Sequence, residues 1–97
     1  MSAIKVAIKG KVQGVFFRQS ARKVADSLKL EGWIKNLANG DVLAQARGDK
    51  DSLENFIAWC KLGPPRAQVS DVDITWLDEL NGEFPSSSQT QGFKIIG

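Results

Sequence analysis

Two hydrophobic periods follow one another along this chain, and their order restricts the fold more than any other feature. Ile4, Val6 and Ile8 alternate with Ala3, Lys5, Ala7 and Lys9, and a period of two marks a strand with one buried face. Gly10 and Gly14 punctuate the turn that follows. The period then lengthens: Ala21, Val24, Ala25 and Leu28 recur at helical spacing, with Arg22, Lys23 and Asp26 facing outward, which predicts a helix over about 17–30. Gly32 opens a short apolar strand that reaches Leu37. Asn39-Gly40 supplies a hairpin signal, since both residues tolerate positive φ, and the return strand runs from Asp41 to about Arg47, ending at Gly48.

The second half repeats the change of period. Asp51 and Glu54 have capping-box spacing, and Leu53, Phe56, Ile57 and Cys60 form the stripe of a second helix. Gly63-Pro64-Pro65 stops it. Val72, Ile74 and Trp76 alternate with acids and Thr75 in a fourth strand, residues 81–91 read as a polar mobile loop, and 93–96 form a short last strand. The order is β-α-β-β-α-β with a short C-terminal strand, over one domain of residues 1–97. Right-handed crossovers make it an α+β, ferredoxin-like sandwich with two helices on one face of an antiparallel sheet. That fold hosts many functions and decides none of them.

Composition excludes more than it selects. The chain has no histidine and a single cysteine, Cys60, which removes the commonest general base, the commonest zinc ligand and any intrachain disulfide. Catalysis must then rest on positioning and electrostatics or on carboxylates, with no metal or cofactor expected. No apolar run approaches the roughly 20 residues of a membrane span, and the start of the chain lacks a secretory pattern, so a cytoplasmic location and no membrane partner are expected. Lys9, Lys11, Arg18, Arg22 and Lys23 crowd a stretch without an acid, while Asp71, Asp73, Asp78, Glu79 and Glu83 stand without a base. Such polarity either concentrates a small anion at one end of the molecule or forms two solvated faces of opposite sign.

Residues 10–18, Gly10-Lys11-Val12-Gln13-Gly14-Val15-Phe16-Phe17-Arg18, lie between the first strand and the first helix. A glycine-bearing loop at a helix N-terminus turns several N–H groups towards one point, where the helix dipole also favours negative charge. Arg18 adds a planar fork suited to two phosphate oxygens. The spacing departs from the Walker pattern and lacks its Lys-Ser/Thr pair, so the loop suits a single phosphate. The same residues also read as tight turns beside an exposed arginine. Asn36, late in its strand, offers a donor and an acceptor with which to orient one water, although strand-end asparagines are usually structural. Cys60 and the three tryptophans read as packing residues. Phe16 and Phe17 beside basic residues suit base stacking, but the fuller aromatic signature of RNA-binding sheets is missing, and no nucleic-acid partner is expected.

Taken together these segments resemble a known family. Gly10-x-Val12-Gln13-Gly14-Val15-x-Phe17-Arg18 is similar to the phosphate-loop signature of the acylphosphatases, and Gly32-Trp33-Ile34-Lys35-Asn36 resembles their second signature, with Ile34 for the usual valine. Trp59-Cys60-x-x-Gly63-Pro64-Pro65-x-Ala67-x-Val69 and Gly92-Phe93-x-Ile95 resemble the later segments in order and spacing. The resemblance implies hydrolysis of the carboxyl–phosphate anhydride of a small acyl phosphate. It implies that Arg18 and the backbone amides of Gln13, Gly14, Val15, Phe16, Phe17 and Arg18 hold the phosphate, and that Asn36 positions the attacking water. Inorganic phosphate is then product and competitive inhibitor, and the enzyme is expected to be a monomer. Two departures are minor: Asn39 stands where aspartate is common, and Ala21 where a small hydroxyl residue is common, with Ser20 beside it. A non-catalytic anion-binding domain of the same fold would carry the same loop, and release of phosphate from acetyl or benzoyl phosphate separates the two.

Overall fold

A computed structural model of the chain describes residues 2–77 and 92–96. The elements run β1 (Ser2–Lys11), α1 (Phe17–Ser27), β2 (Glu31–Asn36), β3 (Val42–Gly48), α2 (Lys50–Leu62), β4 (Gln68–Leu77) and β5 (Phe93–Ile95). The strands form one sheet in the order β4-β1-β3-β2-β5. Each helical connection therefore skips a strand: β1-α1-β2 straddles β3, and β3-α2-β4 straddles β1. This is the split βαβ arrangement expected of the period changes.

The register explains why one face is apolar. Val6 of β1 lies opposite Ala44 of β3 and Ile74 of β4, and Ile4 and Ile8 are placed in the same way. The set meets Phe17, Ala21 and Ala25 from α1 and Leu53, Phe56 and Cys60 from α2 in one buried cluster. Aromatic contacts tie the layers, with ring centroids 5.2 Å apart for Phe17–Trp59 and 5.6 Å for Phe56–Phe93. Of the three tryptophans, Trp33 is buried, Trp59 is half-buried and Trp76, on the edge strand β4, is exposed.

Four strands pair antiparallel, but β5 runs parallel to β2, so the sheet is mixed. Phe93 explains the docking of β5: its ring is buried in the core and its N–H donates to Asp26 Oδ1 of α1 at 3.1 Å. The expected loop over 81–91 lies outside the described residues.

Local boundaries differ from expectation where backbone geometry outweighs residue type. Helix α1 stops at Ser27 because Lys29 adopts a left-handed φ of 59°. Leu30 N–H donates to Ala25 O at 2.9 Å and Lys29 N–H to Asp26 O at 3.0 Å, the paired bonds of a Schellman ending that usually employs glycine. At α2 the cap is Asp49, whose carbonyl accepts the Leu53 N–H at 2.9 Å, and no side chain caps the helix. Asp51 and Glu54 therefore form no capping box; Asp51 sits inside the first turn. In the hairpin only Gly40 has positive φ, at 99°, while Asn39 Oδ1 accepts the Asp41 N–H at 3.0 Å. Gly10 is required by close approach, since a Cβ there would run into the Gln68 carbonyl where the β1–β4 register shifts.

Cys60 is fully buried, and burial pushes its thiol up to about 12 from an ordinary 9.0. The folded state thus keeps a proton that the unfolded chain releases above pH 9, so stability from this group is intact below pH 9 and declines as pH rises towards 12. The slope approaches about 1.4 kcal/mol per pH unit at most. Urea midpoints at pH 8 and pH 10.5 should fall further for the native chain than for Cys60→Ala; equal falls would show that the thiol does not titrate in this way.

Candidate active site

The loop between β1 and α1 is fixed by alternation of buried and exposed residues. Val12, Val15 and Phe17 are 1%, 6% and 1% exposed and belong to the core cluster, whereas Gly14 and Phe16 are exposed. Fully burying such a side chain contributes about 1.5–3 kcal/mol, so three anchors hold the short loop tightly. They also sustain an unusual backbone. Gly14 has φ of 75° and Phe16, the residue capping α1, has φ of 62°. A left-handed phenylalanine costs about 1–2 kcal/mol, and turns of this kind gather consecutive N–H groups into an anion-binding concavity. A Cβ on Gly14 would meet nothing within 4 Å, so glycine is needed there for its φ rather than for space.

Among the described residues, neither a side-chain cap nor a first-turn acid neutralises this helix start. The Ser20 N–H to Phe16 O bond, at 3.1 Å, opens the helical ladder, which leaves the N–H groups of Phe17, Arg18 and Gln19 without an intrahelical acceptor. No side chain caps α1, and its first turn carries no acid.

A cavity of about 310 Å³ opens at this point, lined by Val12, Gly14, Phe16, Phe17, Arg18 and Gln19, with Asn36 from β2 and Ile95 from β5. Arg18 is half-buried and has no ion-pair or hydrogen-bond partner among the described residues. Across the cavity, the Oδ1 of Asn36 is buried and accepts no hydrogen bond. Leaving such an oxygen unsatisfied costs about 1–3 kcal/mol. Among the described residues the cavity therefore presents an unpartnered guanidinium, a positive helix end and an open acceptor to the same space, with no acidic residue in its lining. Among the described residues no cluster of three or more His, Cys, Asp or Glu side chains is placed to hold a metal ion.

Arg18, Asn36, Gly14, Phe16 and Phe17 thus line one cavity, while the side chains of Val15 and Gln13, two residues expected to contribute backbone amides, lie elsewhere. Val15 is turned into the core. Gln13 sends its side chain to the hairpin, donating through Nε2 to Leu37 O at 2.8 Å and Asp41 O at 2.9 Å. These bonds hold the β1–α1 loop against the end of β2, one residue beyond Asn36. Sequence reading missed this bridge, as it missed Gln19 and Ile95 in the cavity wall; Ile95 carried the signal of a strand residue within the C-terminal segment of the resemblance, with nothing to place it in the wall. The basic stretch is also divided. Lys9 faces the open side of the sheet, 3.2 Å from Asp73, whose hydrogen bond raises the lysine pKa, while Arg18, Arg22 and Lys23 follow α1.

A ferredoxin-like sandwich whose first helix begins at an uncapped, cationic concavity defines a class of small α+β proteins. Comparison with known proteins gives that class its family. The acylphosphatase family model matches residues 4–95. The acylphosphatase of Pelotomaculum thermopropionicum is 43% identical over 90 residues, which cover 93% of this chain and 90% of that protein. The crystal structure of acylphosphatase from Bacillus subtilis superposes with a TM-score of 0.85 at 32% identity over all of both chains. The structure of an acylphosphatase from Coxiella burnetii does so at 0.84 and 41% identity, covering 98% of this chain and 92% of that one. The chain belongs to the acylphosphatase family, and it is a hydrolase of acyl phosphates.

The Gln13 bridge generates a test of site geometry. Gln13→Ala should cost about 1–2 kcal/mol through the two lost bonds and lower kcat on the order of tenfold by letting the loop drift from Asn36. Gln13→Glu keeps the shape but faces two carbonyls with a carboxylate, and should do no better. Steady-state kinetics on folded protein checks both; a Gln13→Glu enzyme with undiminished kcat would separate the bridge from catalysis.

Proposed function

We propose that the loop amides and Arg18 hold the phosphoryl group of the substrate, and that Asn36 orients the attacking water. The observation that carries this reading is the pairing, across one cavity, of an unpartnered Arg18 with the unsatisfied Asn36 Oδ1. An anion seated at the start of α1 meets N–H groups that have no other acceptor, and Arg18 supplies two parallel donors to its oxygens. The Asn36 oxygen accepts one O–H of water and directs a lone pair at phosphorus. The water oxygen forms a bond to phosphorus while the bond from phosphorus to the acyl oxygen breaks, and its electron pair leaves on the carboxylate. With no histidine in the chain, the second water proton passes to a phosphoryl oxygen, giving carboxylate and dihydrogen phosphate.

The energetics suit so sparse a site. A carboxylate is a good leaving group, and the transition state is loose, so stabilising the equatorial oxygens supplies most of the acceleration. The reading extends to a metal-free, monomeric, cytoplasmic enzyme formed by residues 1–97 as one domain and competitively inhibited by inorganic phosphate. A single buried free cysteine suits a reducing compartment. The donor set supports metal independence, and turnover of acetyl phosphate should be unchanged after chelation with EDTA; loss of activity restored by a divalent ion would overturn it.

The roles of the two principal residues separate in kinetics. Arg18→Ala should nearly abolish turnover and weaken phosphate inhibition, and Arg18→Lys should rescue little, since a point charge cannot reproduce the fork. Asn36→Ala should lower kcat about a hundredfold or more while phosphate still competes nearly as well as with the native enzyme. Measuring kcat with the phosphate inhibition constant checks both. Normal kcat with lost phosphate affinity in Asn36→Ala would reverse the assignment.

A further inference from the structure

A second cavity, of about 340 Å³, runs on from the first. It is lined by Gln19, Arg22, Lys23, Asp26 and Ile95, and it shares Gln19 and Ile95 with the phosphate cavity. Neither the phosphate chemistry nor the packing of α1 uses its two cations. Lys23 is exposed and has no ion-pair partner among the described residues. Arg22 faces Asp26 with Nε 3.8 Å from Oδ2, both side chains about half exposed, a separation at which an ion pair is weak. Asp26 has other work: its Oδ1 accepts the Phe93 N–H that docks β5.

The spacing gives this groove a ligand. Arg22 and Lys23 follow Arg18 by four and five residues, which at 1.5 Å per residue places them about 6–7.5 Å further along the helix axis. Ile95 stands at the junction as the apolar wall between the two charged ends. Resting on the assignment of the phosphoryl group to the loop and Arg18, we propose that this groove receives the acyl part of the substrate and favours acyl phosphates that carry a second anionic group. Methylenes would pass Ile95, and a carboxylate or phosphate a few carbons from the acyl carbonyl would reach Arg22 and Lys23. The net charge of the groove remains positive with Asp26 included, so a neutral acyl chain gains apolar contact alone.

Glutaryl phosphate and pentanoyl phosphate have acyl chains of equal length and differ in the terminal carboxylate; a phosphonate-terminated analogue of the same length tests the other anion, with acetyl phosphate as reference. In the native enzyme kcat/KM should be higher for both anion-terminated substrates than for pentanoyl phosphate, by a margin that shrinks with added salt. In the double variant Arg22→Gln with Lys23→Gln, that margin should fall by roughly five- to tenfold while turnover of acetyl phosphate stays unchanged. Glutamine favours helix, and both positions are exposed, so the variant retains the fold. No preference in the native enzyme, or an equal loss for charged and neutral substrates in the variant, would overturn the groove. The underlying assignment fails separately: undiminished turnover of acetyl phosphate by Arg18→Ala would remove it whatever the groove result.

Discussion

Burial of Val12, Val15 and Phe17 is the interaction on which the rest of the site depends. These side chains enter the core from the loop and from the first residue of α1, and their neighbours Gln13, Gly14, Phe16 and Arg18 are left for other work. Apolar anchoring opposes the cost of a left-handed Phe16 and of a helix start that no side chain caps. Local strain of this kind persists only where surrounding structure over-determines it. The helix end is therefore ready for an anion before one arrives, and preorganised donors of this sort need no rearrangement when charge develops.

The second half of the site is brought in by the sheet. Asn36 lies opposite Val42 at the end of the β2–β3 ladder, and Gln13 spans from the loop to the carbonyls of Leu37 and Asp41 just beyond it. Loop and hairpin thus share one rigid frame. The helix α1 completes it, since its start lines the cavity of Arg18 and Asn36, its middle lines the neighbouring groove, and Asp26 near its end anchors β5.

Much of this was legible in the residues because period and spacing are local properties. The alternation in β1 and the helical stripes follow from patterns a few residues long, whereas the joining of Arg18 with Asn36 in one site rests on the resemblance to the acylphosphatase signatures. What stayed hidden depends on contacts between distant segments. Gln13 reads as one more loop residue until the hairpin carbonyls 24 and 28 positions away come within reach. The parallel direction of β5 depends on Phe93 finding both the core and Asp26. Lys29 ends its helix as glycine usually does, so the residue type that signals such an ending is absent. The Asp51–Glu54 spacing misled for the converse reason: the pattern is present, but the chain enters α2 two residues too early, at Asp49, for it to act.

The parallel docking of β5 also bears on the order in which the protein is made. Residues 12–36 supply the loop, Arg18 and Asn36, and they leave the ribosome early. Ile95, which walls both cavities, and Phe93, which fills the core beside Phe56, are synthesised after every other described element. At about 5–20 residues per second the delay is on the order of seconds. During that time the outer edge of β2 has unpaired N–H and C=O groups, and the wall that Ile95 supplies is missing. The cavity lined by Arg18 and Asn36 is thus tied to β5, so a nascent chain that already holds both residues still lacks the wall that Ile95 supplies.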